Sequence, residues 1–210
     1  ANIYLNEVID QWFIEKFASY NNVIVRYADD AVFYFKKENE AKNFMAELEK
    51  RVSEYGLTLN NEKTKIINFQ KTHKTSFNFL GFTFYWGKPR KVRGQQLKVK
   101  TQKEKLIKAI QEFDCWIKLN RSRFKTAAIW TLAKSKLLGH YNYFGYWMNR
   151  NRLSHFYFEA TKSLFRWLNR RSQKISYKVE EFEEKLRQQP LPRPPEPTKL
   201  KQLGWNPYAN

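Results

Sequence analysis

The sequence contains a single cysteine, Cys115, and no apolar run that approaches the length needed to cross a membrane. One cysteine excludes a disulfide framework and a cysteine-rich metal site, and it favours a reducing, intracellular setting. No signal peptide opens the chain, and no internal repeat recurs along it. We therefore expect a cytoplasmic protein that has no membrane partner.

Acidic residues are scarce and unevenly distributed. The 39 Lys and Arg outnumber the 20 Asp and Glu, which gives a formal net charge of +19 and a pI near 9.9. Residues 98–178 hold 19 basic and 4 acidic residues (19 − 4 = +15), whereas residues 1–97 hold 15 and 11 (15 − 11 = +4). A positive field attracts polyanions, of which nucleic acid is the commonest. We expect the second half of the chain to bind it.

Aromatic residues make up 17% of the chain, and many of them alternate with Arg and Lys between Trp116 and Trp167. Such interleaving suits the stacking of bases beside phosphate contacts. Buried helix packing uses the same rings, so composition alone leaves both interpretations open.

The hydrophobic pattern predicts an α+β fold whose first part runs in the order helix, hairpin, helix, strands. The predicted helices run from near the first residue to about Ala18 and from Glu38 to Tyr55, where Gly56 suits a C-terminal cap. Gly81 marks a bulge or a close approach within a strand pair or bent strand. The predicted strands cover residues 23–27, 31–35, 57–59, 65–69, 77–85 and 97–99.

Beyond residue 97, three long helical patterns predict a small helical bundle. Thr101 and Glu104 have capping-box spacing, and Asn151 suits the N-cap of the third helix. A short acidic helix, a proline-rich extended strap and an aromatic tail that resembles a docked segment follow. The predicted helices cover residues 101–119, 125–147, 153–168 and 179–188, and the strap covers residues 190–197.

Two adjacent carboxylates, Asp29 and Asp30, stand where the first hairpin turns, after Tyr27 and Ala28. Neighbouring carboxylates repel each other, so a cation, a basic partner or full solvation must offset the repulsion. Mg²⁺ takes oxygen ligands from one or two carboxylates and keeps other positions for water and phosphates. The alternative is that the pair is ordinary turn chemistry, because Asp favours turns by bonding its own backbone.

Seven segments, in order along the chain, resemble motifs of the reverse transcriptases of group II introns and their bacterial relatives. The first resembles the helix that follows the family's template-contact motif, so the resemblance starts partway through the enzyme and covers nearly the whole chain. The others resemble the metal-binding turn, the next palm motif, the primer grip, two thumb segments and the usual end of the thumb. The segments are residues 1–8, 27–30, 59–65, 79–82, 138–144, 167–172 and 191–194.

The resemblance implies a partial right-hand polymerase palm, an antiparallel sheet with helices, followed by an all-α three-helix thumb, also called the maturase domain. Residues 1–97 would form the second half of the palm with the primer grip, residues 98–178 the thumb, and residues 179–210 a short helix and proline-rich tail. The implied activity is RNA-directed DNA polymerisation with Mg²⁺, or alternatively Mn²⁺, by two-metal transfer onto a primer. The implied partners are an RNA template, an RNA/DNA duplex, deoxynucleoside triphosphates and group II intron RNA, in a bacterial cell.

The resemblance also implies roles for single residues. Asp29, Asp30 and Lys63 would be catalytic, the two aspartates as metal ligands and Lys63 beside the pyrophosphate leaving group. A solvated turn lysine is the alternative for Lys63, and a plain apolar strand is the alternative for Phe79 and Leu80. The residues expected to contact primer or nucleotide are Tyr27, Ala28, Phe79, Leu80 and Gly81. Those expected to contact phosphates from the thumb are Arg121, Arg123, Lys125, Lys134, Lys136, Arg150, Arg152, Arg170 and Arg171.

The family uses a further catalytic Asp from an earlier strand, which we expect upstream of Ala1. These 210 residues alone are therefore expected not to polymerise, and the missing half would lie in the same chain or in a separate polypeptide. Two alternatives stay open: an RNA-binding maturase that assists intron splicing, and a defence-associated or CRISPR-associated reverse transcriptase. His73, His140 and His155 are isolated in the pattern and are predicted to be structural or solvated.

Overall fold

The structure, a computed structural model, describes residues 2–19, 22–71, 74–88, 94–171 and 177–196. Helices and small antiparallel sheets alternate in the first part and helices dominate the second, which confirms the predicted α+β class. The strands are β1 Val23–Tyr27, β2 Asp30–Tyr34, β3 Ser76–Phe79, β4 Phe82–Gly87 and β5 Gln96–Thr101. The α-helices are α1 Asn2–Leu5, α2 Trp12–Lys16, α3 Glu38–Glu54, α4 Lys103–Asn120, α5 Thr126–Phe144, α6 Arg150–Leu168 and α7 Val179–Gln188. A π-helical segment, Asn6–Gln11, joins α1 to α2, and a 3₁₀ turn, Trp147–Asn149, precedes α6.

The first hairpin has the predicted position and a tight turn. Strand β1 pairs antiparallel with β2, so that Tyr27 lies opposite Asp30 and Val23 lies opposite Tyr34. Side chains alternate between faces: Ile24 and Arg26 are half-buried, whereas the residues between and beside them are exposed. The second strand begins at Asp30, one residue before the predicted start, because Asp30 still pairs with Tyr27.

A core of aromatic rings holds the hairpin against the helices of the first part. Phe44 on α3 lies at its centre, with ring centroids 4.6 Å from Phe33, 5.0 Å from Phe35 and 5.1 Å from Phe17. Burial of each such side chain stabilises the fold by roughly 1.5–3 kcal/mol. The buried members are Phe13, Phe44, Leu48 and Val52.

Helix α3 ends as the sequence predicted, at a glycine cap. Gly56 has a φ of +68°, its N–H donates to Ser53 O at 3.0 Å, and the Leu57 N–H donates to Val52 O at 2.8 Å. These are the two hydrogen bonds of a Schellman motif, which satisfies carbonyls that the last helical turn leaves free.

The predicted strands at 57–59 and 65–69 are wrong, because these residues form neither helix nor strand. Leu57 and Leu59 pack against the aromatic core without a strand partner. Phe69 packs on Phe77 and Trp86, and its carbonyl accepts a hydrogen bond from Trp86 Nε1 at 3.4 Å. Buried and exposed residues therefore alternate here in a segment without regular structure that packs on an apolar surface. Alternation with a period of two did not require β-strand pairing.

Strands β3, β4 and β5 form a sheet in that order. Leu80 and Gly81 connect β3 to β4 and have φ values of +49° and +76°. Positive φ at both central residues is typical of a two-residue, type I′ hairpin turn. The predicted strand pair over 77–85 is therefore confirmed, and Gly81 lies in its turn instead of at a bulge.

The chain forms two compact units: Ala1–Leu80 with Tyr85–Leu97, and Gly81–Phe84 with Lys98–Asn210. In the second unit α4, α5 and α6 enclose a core that includes Ile117, Leu137 and Leu164, all fully buried. The chain after α7 packs on it: the Trp130 indole N–H donates to Gln189 O at 2.8 Å, and Leu191 is 2% exposed. The predicted aromatic tail lies outside the described residues.

The predicted helix caps of the second unit are wrong. Thr101 ends β5 and Asn151 lies inside α6, so neither residue caps a helix. Asn149 is the buried polar residue at this place: its Oδ1 accepts the Thr101 N–H at 2.7 Å, and its Nδ2 donates to Thr101 Oγ1 at 2.6 Å and to Phe144 O at 2.9 Å. Among the described residues, no helix is long and apolar enough to cross a membrane.

Candidate functional site

The two aspartates stand at the exposed tip of the first hairpin. Ala28 and Asp29 form the turn, Asp30 begins β2, and both carboxylates are exposed. Ala28 has a φ of +54°, a conformation that costs an L residue of this kind on the order of 1 kcal/mol or more. The surrounding structure must therefore hold the turn in place.

Arg26 supplies contacts on the inner side of this turn. Its Nε and Nη2 donate to the two carboxylate oxygens of Asp10 at 2.7 and 2.6 Å, and its Nη1 donates to Ala28 O at 2.7 Å. The hydrogen bond to Asp10 raises the pKa of Arg26 above its ordinary value, so the guanidinium stays charged. One side chain thus joins the hairpin tip to the π-helical segment.

A shallow, open depression lies beside the turn in the first unit. It is lined by the amide side chains of Asn2 and Asn6, by Ile3, and by Arg26, Tyr27 and Ala28. The Tyr27 ring is 68% exposed, although tyrosine usually buries much of its surface. The site therefore presents a free aromatic face and amide groups next to two carboxylates.

The carboxylate pair suits a divalent cation but does not complete a site for one. Within the described ranges, no ion pair involves Asp29 or Asp30, so a protein cation does not offset their repulsion. Magnesium accepts one or two carboxylates and fills its remaining positions with water and phosphate oxygens. In the part of the chain that the structure describes, no three His, Cys, Asp or Glu side chains converge on one point.

Lys63 lies in an exposed turn that its neighbours define. The Lys63 N–H donates to Asn60 O at 3.0 Å and to Asn60 Oδ1 at 3.2 Å, and the Thr64 N–H donates to Asn60 O at 2.8 Å. Lys63 does not line the depression beside Tyr27 and Ala28.

The predicted primer-grip residues form the second hairpin turn. Phe79 ends β3 and is half-buried, and Leu80 and Gly81 make the turn itself. A Cβ atom at Gly81 would lie 3.3 Å from Phe144 Cε1, and the Gly81 carbonyl accepts the Gln102 N–H at 2.9 Å. Glycine is needed here for both the backbone angle and the close approach.

The helices of the second unit carry a long segment without acidic residues. Between Asp114 and Glu159 the sequence has no Asp or Glu, whereas it has eight Lys and Arg. Lys125 precedes α5, Lys134 and Lys136 lie on α5, and Arg150 and Arg152 lie in the first turn of α6. Lys136 Nζ stands 5.1 Å from the centroid of the Trp116 ring, as a cation–π contact requires.

Three cations gather around one indole ring, that of Trp167. Lys118 Nζ, Arg121 Cζ and Arg170 Cζ lie 5.6, 5.0 and 5.3 Å from its centroid. Arg121 also donates to the Arg170 and Lys118 carbonyls. The structure thus brings together Arg121 and Arg170, two of the residues predicted to bind phosphate.

Asp114 provides a carboxylate beside this cluster. Burial alone would raise its pKa, but hydrogen bonds from Ser163 and Trp167, with the charges of Arg166 and Lys118, hold the pKa below its ordinary value. The Trp167 Nε1–H donates to Asp114 Oδ1 at 2.9 Å, which fixes the plane of the indole. One ionised carboxylate therefore faces several cations, and the cluster keeps an excess of positive charge.

The remaining basic candidates differ in how firmly they are held. Arg171 donates to Thr126 Oγ1 at 2.7 Å and to Phe124 O at 3.1 Å, so it joins the end of α6 to the start of α5. Arg123 is exposed in the loop between α4 and α5. Water would compete with any phosphate contact that Arg123 makes, because its side chain is exposed. Arg171 differs, because it also connects two helices.

The histidines differ in environment. His140 stacks on Phe156 with ring centroids 3.8 Å apart, and burial lowers its pKa to about 4. His155 is exposed on α6, and His73 lies outside the described residues.

Sequence reasoning missed Arg26, Asp10 and Trp167. Arg26 could have been found, because it occupies an inward position of β1, next in phase to Ile24, where an unpaired charge is costly. Asp10 follows the apolar pair Val8 and Ile9, and a carboxylate in such a helical face also requires a partner. Trp167 lies in a segment that the family resemblance covers, but its cation contacts could not be predicted, since the cations come from two segments far apart in sequence, residues 118–121 and residue 170.

Comparison with known proteins gives one result for the first part of the chain. Residues 1–84 match the family described as reverse transcriptase (RNA-dependent DNA polymerase). The enzymes of this family use a nucleic-acid template, deoxynucleoside triphosphates and divalent metal ions. No curated protein matches the chain at a significant level. The match spans 84 of 210 residues and contains both aspartates of the hairpin tip, Lys63 and the Leu80–Gly81 turn, so reverse transcriptase similarity covers the candidate site.

Proposed function

We propose that this chain is the second palm half and thumb of a reverse transcriptase of the group II intron type. It would add deoxynucleotides to a primer annealed to an RNA template. The observation that carries the proposal is the exposed Asp29–Asp30 pair at a tight hairpin tip, inside the segment similar to reverse transcriptases; among the described residues, neither carboxylate forms an ion pair.

Asp29 and Asp30 would hold the divalent ions, and two such ions stabilise the attacking and the leaving oxygens of an in-line nucleotidyl transfer. The exposed Tyr27 ring would pack beneath the primer end. Lys63 would place a positive charge or a general acid beside the pyrophosphate, where negative charge develops.

The Leu80–Gly81 turn, with Phe79, would hold the primer backbone. The positive φ of Gly81 and its close contact with Phe144 hold this turn in shape. The proposal includes a third carboxylate from an earlier palm strand, supplied by the same polypeptide or by a separate one.

The basic helices of the second unit would hold the duplex through its phosphates. An acid-free stretch from Cys115 to Phe158 with eight cations favours sequence-independent contact, because phosphates carry no sequence information. The same surface supports a second candidate function, an RNA-binding maturase that assists intron splicing. One protein can have both activities.

The decisive experiment replaces Asp29 by asparagine in the intact enzyme. We expect primer extension to fall by at least about a hundredfold, because a neutral amide is a poor ligand for Mg²⁺. The broadening of NMR signals of residues 28–31 by Mn²⁺, which reports metal binding without catalysis, should also be lost. Glu49→Gln, which removes an exposed carboxylate from α3, is the matched control.

Retained extension by Asp29→Asn would overturn the metal assignment. Lost extension with intact intron splicing would separate the polymerase from the maturase activity. Intact extension and lost splicing would leave the polymerase proposal wrong at its central residue.

A further inference from the structure

The contacts of Arg26 extend beyond an ordinary ion pair. Its side chain is 11% exposed and that of Asp10 is 20% exposed, so water competes little with their two short hydrogen bonds. The third donor, Nη1, reaches the Ala28 carbonyl at 2.7 Å and lies 3.5 Å from Asn2 Oδ1. All of these contacts lie within the first unit.

The hairpin tip needs such a contact. Ala28 has a positive φ, which is strained for alanine, so its backbone would relax to another angle without support. Asp29 follows directly in the turn. A hydrogen bond to the Ala28 carbonyl fixes the peptide plane between Ala28 and Asp29, and therefore the direction in which the Asp29 side chain leaves the backbone.

The π-helical segment places Asp10 for this contact. A π turn contains more residues than an α turn, so it rotates the side chains of Asn6–Gln11 relative to those of α2. The segment is held from the other side as well, because Arg51 on α3 donates to the Val8 carbonyl at 3.2 Å. Arg51 thus ties the segment that carries Asp10 to α3.

We infer that Asp10 is a positioning residue for the metal-binding turn: it orients the Arg26 guanidinium, which in turn fixes the Ala28 carbonyl and the carboxylate of Asp29. The inference rests on the proposed metal role of Asp29. It predicts that Asp10, which lies outside the hairpin and contacts neither metal nor substrate, affects the metal affinity of the turn.

A purely structural ion pair offers a matched comparison in the same unit. Lys16 at the end of α2 pairs with Glu47 on α3, and both side chains are more exposed than those of Asp10 and Arg26. Removing this pair loosens helix packing without touching the hairpin tip. Lys16→Gln is therefore the control for Asp10→Asn.

The test measures the Mg²⁺ concentration that gives half-maximal primer extension by the intact enzyme, and the Mn²⁺ concentration that broadens the hairpin NMR signals. We expect Asp10→Asn and Arg26→Lys to raise both concentrations by roughly tenfold or more, as loss of a group that orients a metal ligand typically does. Arg26→Lys keeps the charge but loses the planar fork that bonds Asp10 and Ala28 together. Lys16→Gln should leave both concentrations unchanged.

The outcomes separate the inference from the function on which it rests. If Asp29→Asn abolishes Mn²⁺ binding while Asp10→Asn and Arg26→Lys fold and bind Mn²⁺ as the unmodified enzyme does, the positioning role is wrong. If Mn²⁺ binds nowhere near the hairpin of the unmodified enzyme, the proposed function fails first. Should Asp10→Asn not fold, Asp10→Glu keeps the charge and displaces the carboxylate by one methylene. Unchanged metal concentrations in folded Asp10→Glu and Arg26→Lys would overturn the inference.

Discussion

Replacing Gly81 by alanine tests how tightly the Leu80–Gly81 turn is packed. Gly81 has a φ of +76°, and an added Cβ would lie 3.3 Å from Phe144 Cε1. The backbone angle alone costs an alanine about 1 kcal/mol, after allowance for the reduced entropy of the unfolded chain. An overpacked contact adds about 1–3 kcal/mol when the neighbour cannot move.

The Phe144 ring has little room to move. Its centroid lies 5.4 Å from that of Phe82, 4.6 Å from that of Tyr143 and 4.8 Å from that of His140. We therefore expect Gly81→Ala to lower the free energy of unfolding by about 2–4 kcal/mol, the sum of the backbone and contact costs. Urea denaturation with linear extrapolation, followed by far-UV circular dichroism, measures this change.

Gly56→Ala is the matched control for the backbone cost. Gly56 has a similar φ of +68°, and nothing lies within 4 Å of its added Cβ. This variant should lose only about 1 kcal/mol. Equal losses for the two variants would refute the argument that Phe144 limits the space at Gly81.

Two further predictions concern buried polar groups of the second unit. Asn149→Ala removes three hydrogen bonds at a site where Asn149 is 1% exposed: it leaves the Thr101 N–H unpaired, and it takes one donor each from Thr101 Oγ1 and from the Phe144 carbonyl, which keeps the Tyr146 N–H. At about 1 kcal/mol per hydrogen bond, we expect the free energy of unfolding, measured by thermal unfolding, to fall by about 3 kcal/mol. Asn142→Ala, on an exposed helix face, should change it by less than about 0.5 kcal/mol, and a loss below about 1 kcal/mol for Asn149→Ala would contradict the hydrogen-bond assignment. Burial lowers the pKa of His140 from 6.5 to about 4, so the unfolded chain binds a proton at a higher pH than the folded chain does, and stability should fall as the pH drops from about 6.5 to 4. Allowing for partial exposure, we expect the free energy of unfolding to fall by about 2 kcal/mol over this range. The urea midpoint should therefore depend on pH, and His140→Phe should flatten this dependence. An unchanged pH profile in His140→Phe would assign the dependence to other groups.

The parts of the fold that local sequence determines were predictable. Strand β1 was predicted from a short, mostly apolar run, and its turn from two carboxylates between two such runs. Gly56 marks the end of α3 because few residues other than glycine take the left-handed angle that a Schellman motif needs. The three long helices of the second unit were predictable as well, because apolar residues recur along them at helical spacing.

Parts set by tertiary contacts were not predictable. Leu57 and Leu59 alternate in burial, yet only a partner strand distinguishes a ladder from chain that packs irregularly, and the sequence does not encode the partner locally. The caps assigned to Thr101 and Asn151 failed for a related reason, because Asn149 satisfies the backbone from a turn 48 residues away from Thr101. At the candidate site, the carboxylates were found from the sequence, but their support was not.

The π-helical segment determines which side chains of the first helical stretch face the aromatic core and which face the hairpin tip. Its turn holds about one residue more than an α-helical turn does. Removing one residue from it would rotate Asn2 by about 100° relative to Phe13, because an α-helix turns by that angle per residue. A homologue with an uninterrupted helix here should therefore be one residue shorter and should lack either the aromatic core contact or the asparagine beside the hairpin tip. The extra residue lets one helical segment place Phe13 in the aromatic core and Asn2 beside the hairpin tip.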